Sequence, residues 1–191
     1  MNSRTLPLWV ACVCLALAVC ACGTKVQYGD ATGVETLTAD YGSTDLQMVA
    51  AKMVQSMLAS PVIQEGNRPV LQVATVVNKS EEHIDTQAIT DKIRTTLLQS
   101  GKVRFSAGEV RDEMIQELQY QQGSGYVDPT TSKKIGKQVG ADYLLTGAIA
   151  EILKQKDKDK DVYFKFTMNL VNLETGLIEW ADEKEIRKTE K

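Results

Sequence analysis

Between positions 162 and 170 the chain reads VYFKFTMNL, and Val162, Phe164, Phe166, Met168 and Leu170 occupy every second place. Side chains on an extended strand point alternately to opposite faces, so a period of two puts these five on one surface and their polar neighbours on the other. Such a pattern predicts a half-buried antiparallel strand. Its partners flank it directly. Tyr143 to Ile152 reads as the preceding strand, joined through Lys154–Asp161 (KQKDKDKD), a run of alternating charge that reads as a solvated turn. Glu174-Thr175-Gly176 forms a tight turn into a last strand. On that strand period-two alternation places Ile178 with Trp180 on one face and Leu177 with Glu179 on the other.

The preceding half of the chain is mixed. Asp45 reads as the cap of a helix whose apolar positions Leu46, Val49, Ala50, Met53 and Met57 share a face, ended by Pro61. Val70 to Val77 is an almost continuous β-branched apolar run, as expected for a central strand covered on both sides. A second helix begins near Thr86, carries Ile89, Ile93 and Leu97, and stops at Ser100-Gly101, where glycine supplies a left-handed turn. Lys102 to Ser106 is a short strand. Glu109 to Gln122 is a third helix, with Val110, Met114 and Leu118 as its stripe. Asp128-Pro129 has the chemistry of a helix start and predicts a fourth helix, closed at Gly140, with Ile135 and Val139 facing the core. The resulting order, α-β-α-β-α-α-β-β-β, predicts a single α/β domain with a mixed β-sheet covered by helices.

The N-terminus sets where such a domain works. Leu6 to Cys22 is an apolar block behind a short basic opening with Arg4, shorter than the roughly 20 residues a membrane-spanning helix needs. It has the layout of a secretory signal. Its end, Val19-Cys20-Ala21-Cys22-Gly23, resembles a bacterial lipobox. That resemblance implies a signal peptide over 1–21, a diacylated Cys22 as the new N-terminus, and, because Gly23 stands where Asp would retain the protein at the inner membrane, an outer-membrane anchor facing the periplasm. Cys12, Cys14 and Cys20 then leave with the signal, and an acylated Cys22 can neither pair nor bind metal. Residues 22–44 carry the lipidated cysteine and a Gly- and Thr-rich tether. At about 3.5 Å per residue the tether reaches at most roughly 75 Å, and about 25 Å as a coil. The folded domain is expected over 45–191.

Chemistry-bearing patterns fail one after another. Lys and Arg number 22 against 25 Asp and Glu, a net charge of −3, which provides no basic footprint for nucleic acid. The single histidine, His83, sits in the polar loop KSEEHID. Asp157, Asp159 and Asp161 have the spacing of the first EF-hand ligands, but Val162 stands where the loop needs Gly and Met168 where it needs Glu. Gly123-Ser-Gly125 lacks the third glycine of a dinucleotide fingerprint and follows a helix. The chain has no G-x-S-x-G, Walker loop, S-x-x-K or K-T-G. The expectation is a binding module with no catalytic residues, metal or cofactor.

Two segments carry a resemblance: Gly140-Ala-Asp-Tyr-Leu-Leu145 preceded by SKKIGKQV, and the closing hairpin Leu170 to Trp180, LVNLETGLIEW. From Asp45 to about Arg187 the chain is similar to the LpoB family, outer-membrane lipoproteins that activate class A penicillin-binding proteins and so regulate peptidoglycan synthesis. The same motifs occur in related periplasmic folds resembling the TolB N-terminal domain and the curli secretion lipoprotein CsgG. The resemblance implies a monomeric, non-enzymatic protein docking on a noncatalytic domain of the synthase. The docking residues expected from it are Lys133, Lys137, Thr146, Glu179 and Glu183. An envelope assembly or scaffold lipoprotein of CsgG-like, oligomeric type is the alternative, and a small-ligand site in the α/β cleft a third.

Overall fold

The computed structural model describes residues 26–35, 38–65 and 67–191; the expected signal segment and Cys22 lie outside them. The chain divides into two compact units, one ending at Gly33 and one covering Val34–Lys191. In the first, Asp30 holds a turn by accepting hydrogen bonds from the backbone and hydroxyl of Thr32 at 2.8 and 2.7 Å.

The second unit is an α/β domain built on a mixed sheet. Helix α1 (Ser43–Ala59) and the single turn α2 (Pro61–Gln64) precede β1 (Val70–Val73) and β2 (Val77–Lys79). Helix α3 (Thr86–Gln99), β3 (Arg104–Phe105), a 3-10 turn at Gly108–Val110 and α4 (Arg111–Gly123) follow. Three long strands close the chain: β4 (Tyr143–Lys156), β5 (Asp159–Asn172) and β6 (Ile178–Glu190). The sheet order is β3-β1-β4-β5-β6, with β2 pairing on β4 beyond the end of β1. β1 is parallel to β3 and β4, while β4, β5 and β6 form an antiparallel meander.

The alternation read in β5 is observed. Val162, Phe164, Phe166, Met168 and Leu170 are all at most 1% exposed. They join Leu145 and Ile149 of β4 beneath α1 and α3, whose Val49, Met53, Met57, Ile89, Ile93 and Leu97 fill the other side of the core. Helix α1 lies along β6 in antiparallel sense. Three ties in order fix it there: Asp45 to Lys188 at 2.9 Å, Lys52 to Asp182 at 2.8 Å, and Ser56 accepting from the Trp180 indole at 3.2 Å.

Local expectations are corrected at several points. Asp45 is not the helix cap: Gly42 holds that place, and the Asp45 carboxylate three residues on accepts from the Gly42 N–H at 2.8 Å. The apolar run Val70–Val77 is split in two. One residue too many between Val73 and Val77 turns Val76 inward (3% exposed) against Gly147 and leaves Val77 52% exposed. The helix expected from Asp128 to Gly140 does not form. Asp128 caps one turn, accepting from Thr130 N at 2.8 Å, but Gly136 adopts φ +81 and cannot continue a right-handed helix. Ile135 and Val139 are accordingly 57% and 64% exposed and not in the core. Helix α4 forms, yet none of its residues is buried, so its stripe serves no core.

Candidate functional site

Helices cover one face of the meander, and the strands' other side chains form an open face whose composition follows from register. Across β4, β5 and β6 the first row is Leu144, Val171 and Ile178. Next come Thr146, Asn169 and Ala181, then Ala148, Thr167 and Glu183, then Ala150, Lys165 and Glu185, then Ile152, Tyr163 and Arg187. The face is apolar at one end and charged toward the other.

The charged end is internally neutralised. Lys165 pairs with Glu183 at 2.5 Å and Arg187 with Asp161 at 2.6 Å, both diagonal across β5 and β6. The bond from Arg187 holds the Asp161 carboxyl below the usual carboxylate range, and Glu183 raises Lys165 above the ordinary lysine value. Tyr163 donates to Glu185, which pushes its phenol from 10.0 up to about 12. A phenol whose folded pKa is raised stabilises the fold fully below its unfolded value and loses that contribution as pH climbs from 10.0 to about 12. In an absorbance titration Tyr163→Phe should therefore remove a step near pH 12, leaving the still later ionisation of Tyr41, which burial and the Asp45 charge push higher. An unchanged titration would show that the Tyr163–Glu185 bond is absent in solution.

The meander departs from perfect register once. Leu170 pairs with Trp180 and Val171 with Ile178, so Glu179 is left without a partner as a β-bulge. The bulge corrects the strict alternation expected there. Trp180 enters the core, 8% exposed, while Ile178 turns to the open face, 61% exposed. Glu179 itself is exposed beside them.

Thr146 lies on the open face in the row after Leu144, and Glu183 one row further, tied to Lys165. Lys133 and Lys137 stand apart from the sheet face. They line a groove of about 500 Å³ against Val110, Met114 and Leu118, which gives the unburied stripe of α4 its location. A neighbouring cleft of about 690 Å³ shares Met114 and Gln138 with that groove and is walled by Val139, Leu144, Leu173, Arg104 and Arg111. Sequence reasoning did not locate this cleft; its local signal is two arginines flanking a two-residue strand, of which Arg104 donates from Nε to the Arg68 carbonyl at 3.0 Å. Four of the five expected docking residues thus lie around the apolar end of the sheet, and Glu183 lies nearer its middle.

Among the described residues no group of three or more His, Cys, Asp or Glu is placed to hold a metal ion, and His83 is exposed in its loop. Nor, among those residues, is any helix long and apolar enough to cross a membrane. The arrangement offers a patterned surface with partly unneutralised charge, suited to recognition.

Residues 45–186 match the family described as peptidoglycan-synthase activator LpoB. Solved structures with a similar chain include the LpoB C-terminal domain from Escherichia coli, 21% identical, covering 74% of this chain and 98% of that one with a TM-score of 0.47. The LpoB C-terminal domain from Salmonella enterica is 21% identical over 75% of this chain and 99% of that one, with a TM-score of 0.45. Lipoprotein GNA1162 from Neisseria meningitidis is 17% identical over 63% and 83% respectively, with a TM-score of 0.39. A search of curated proteins returns no significant match.

Proposed function

The chain belongs to the LpoB family of peptidoglycan-synthase activators, and from that membership we propose that it is an outer-membrane lipoprotein, anchored at Cys22 and facing the periplasm, that binds and activates a class A penicillin-binding protein. The observation that carries this reading is the extent of the family match, residues 45–186, which takes in β4, β5, most of β6, α3 and all but the first two residues of α1. Activation then needs no chemistry from this chain. A protein that binds the active conformation of a synthase more tightly than the resting one shifts the population by that difference, tenfold for each 1.4 kcal/mol or so. The docking surface comprises the open sheet face and the α4 groove, with Lys133, Lys137, Thr146, Glu179 and Glu183 among its residues.

The test is a glycan-polymerisation assay with a purified class A synthase from the same envelope and the full chain in detergent. The expected result is a severalfold faster polymerisation that saturates with the chain. A synthase whose rate is unchanged and which forms no complex would overturn the reading. The anchor is tested separately. Mass spectrometry of the mature protein should find an acylated N-terminal cysteine, and Cys22→Ala should abolish membrane fractionation while leaving activation in solution intact. Membrane recovery of Cys22→Ala equal to wild type would remove the anchor from the account.

A further inference from the structure

We propose that the chain from Glu35 to Ser43 is a reserve length of tether, closed into a loop on the domain and released by a pull on the preceding chain while the domain stays folded; its use rests on the reading of Cys22 as an anchor. The loop is closed at its base. The Glu35 N–H donates to the Thr44 hydroxyl at 2.7 Å, and the Glu35 carboxylate accepts from the Ser43 hydroxyl at 3.0 Å and the Ser43 N–H at 3.3 Å. Residues eight apart in the sequence thus sit side by side, and the chain between them adds nothing to the reach of the tether. Fully extended it would add about 28 Å at roughly 3.5 Å per residue. With the loop closed the tether from Cys22 ends at Glu35 and spans at most roughly 45 Å; opened, it regains the roughly 75 Å of the whole segment. A linker too short to span two sites gives an effective concentration near zero. The loop therefore decides whether an anchored domain engages a target beyond about 45 Å.

The contacts that hold the loop are weaker than those that begin after it. Its base bonds are all exposed, so water replaces them readily, and they bear a pull from Val34 first. Inside the loop Ala39 is buried, Asp40 accepts from Lys160 and, through its carbonyl, from Lys188, and the Tyr41 N–H donates to the Glu82 carboxylate at 2.8 Å. The Tyr41 ring packs edge-on against Phe164 with centroids 5.6 Å apart. Its hydroxyl is enclosed, however, and has no hydrogen-bond partner among the described residues; the same holds for the second carboxylate oxygen of Glu82. An enclosed polar group without a partner costs the fold its desolvation, and opening the loop returns both groups to water. No residue from Thr38 to Gly42 belongs to a helix or strand. Release stops at Gly42. There the Gly42 N–H is held by the Asp45 carboxylate at 2.8 Å, and Asp45, itself buried, pairs with Lys188 at 2.9 Å. Val49, Met53 and Met57 then fix α1 in the core, so the helix moves only with the domain.

Force spectroscopy tests the loop on the chain from position 22, carrying Cys22→Ala and held by peptide handles at both termini. The expected trace has an early step of about 28 Å at a force below that of domain unfolding. Joining Glu35→Cys to Ser43→Cys with a bismaleimide should remove that step and leave the main unfolding force unchanged. In hydrogen exchange the wild-type Tyr41 and Gly42 amides should open independently of the core, and Tyr41→Ala should speed the Gly42 amide by about tenfold or more while Phe166 and Leu145 stay protected. Tyr41 and Gly42 amides that exchange only as slowly as Phe166 would overturn the reserve, because the loop would then open only with the whole domain. An early step that survives the cross-link would assign it to another segment and overturn the reserve equally. None of these readouts involves a synthase or a lipid, so their failure leaves the anchored-activator reading standing. An unacylated Cys22 in the mass spectrum overturns that reading, and with it the use of the reserve, while the step itself persists.

Discussion

Phe166→Ala is expected to lower the unfolding free energy by about 3–5 kcal/mol, the range for removing a buried aromatic ring. Phe166 is 1% exposed, opposite Ile149 on one side and Lys184 on the other, in the middle strand of the meander. Strands hydrogen-bonded on both sides cannot close around the space a lost ring leaves, so most of the cavity persists. Against a typical domain stability of about 5–15 kcal/mol this is a large fraction. The neighbouring Lys165→Ala faces the open side and loses only a half-exposed ion pair with Glu183, so its effect should stay within about 1 kcal/mol. Urea denaturation checks both, with the midpoint moving and the slope constant. Equal midpoints for the two variants would mean that β5 does not have one dry and one wet face.

That difference between adjacent residues is the part of the molecule most directly written in the sequence. A period of two in β5 and spacings of three and four in α1 and α3 are local properties, and each is satisfied because one side of the element is buried. Elsewhere the same rules met competing local chemistry. Asp128-Pro129 starts a helical turn, as read, but Gly136 at φ +81 ends any prospect of extending it, and the signal is that glycine within the expected helix. The stripe of α4 is helical in spacing yet lines an open groove opposite Lys133, Lys137 and Gln138 and does not enter the core; spacing reports that a face is apolar, not what covers it. The candidate surface was legible only in part. Thr146 and Glu183 share a face by parity alone, whereas the row Leu144–Val171–Ile178 depends on inter-strand register and on one unpaired residue at Glu179. Neither can be derived from a single strand's pattern, since a bulge reverses every parity beyond it.

Gly147→Ala is expected to destabilise the domain by about 1–3 kcal/mol, and Gly147→Val by more, as overpacking of a filled interior does. The sign is the informative part. Glycine inside a strand is ordinarily a weakness, and alanine in its place commonly stabilises by about 0.4–1 kcal/mol by restricting the unfolded chain. Here an added Cβ would lie 2.8 Å from the carbonyl oxygen of Thr167, 3.2 Å from Met168 Cγ and 3.3 Å from Val76 Cγ2. The first of these is backbone of the paired strand and cannot rotate away, so β4 and β5 must separate. The third is a side chain that yields. It is the same Val76 that the break between β1 and β2 turns inward, so the missing side chain at 147 and the interrupted strand are two halves of one packing solution. Gly147→Ala combined with Val76→Ala should therefore cost less than the sum of the single variants, by about 0.5 kcal/mol or more, while still falling short of Val76→Ala alone. Hydrogen exchange should localise the damage to amides joining Leu145–Ile149 with Phe166–Leu170. A Gly147→Ala protein as stable as wild type, with those amides equally protected, would show that the strands do not approach this closely at position 147.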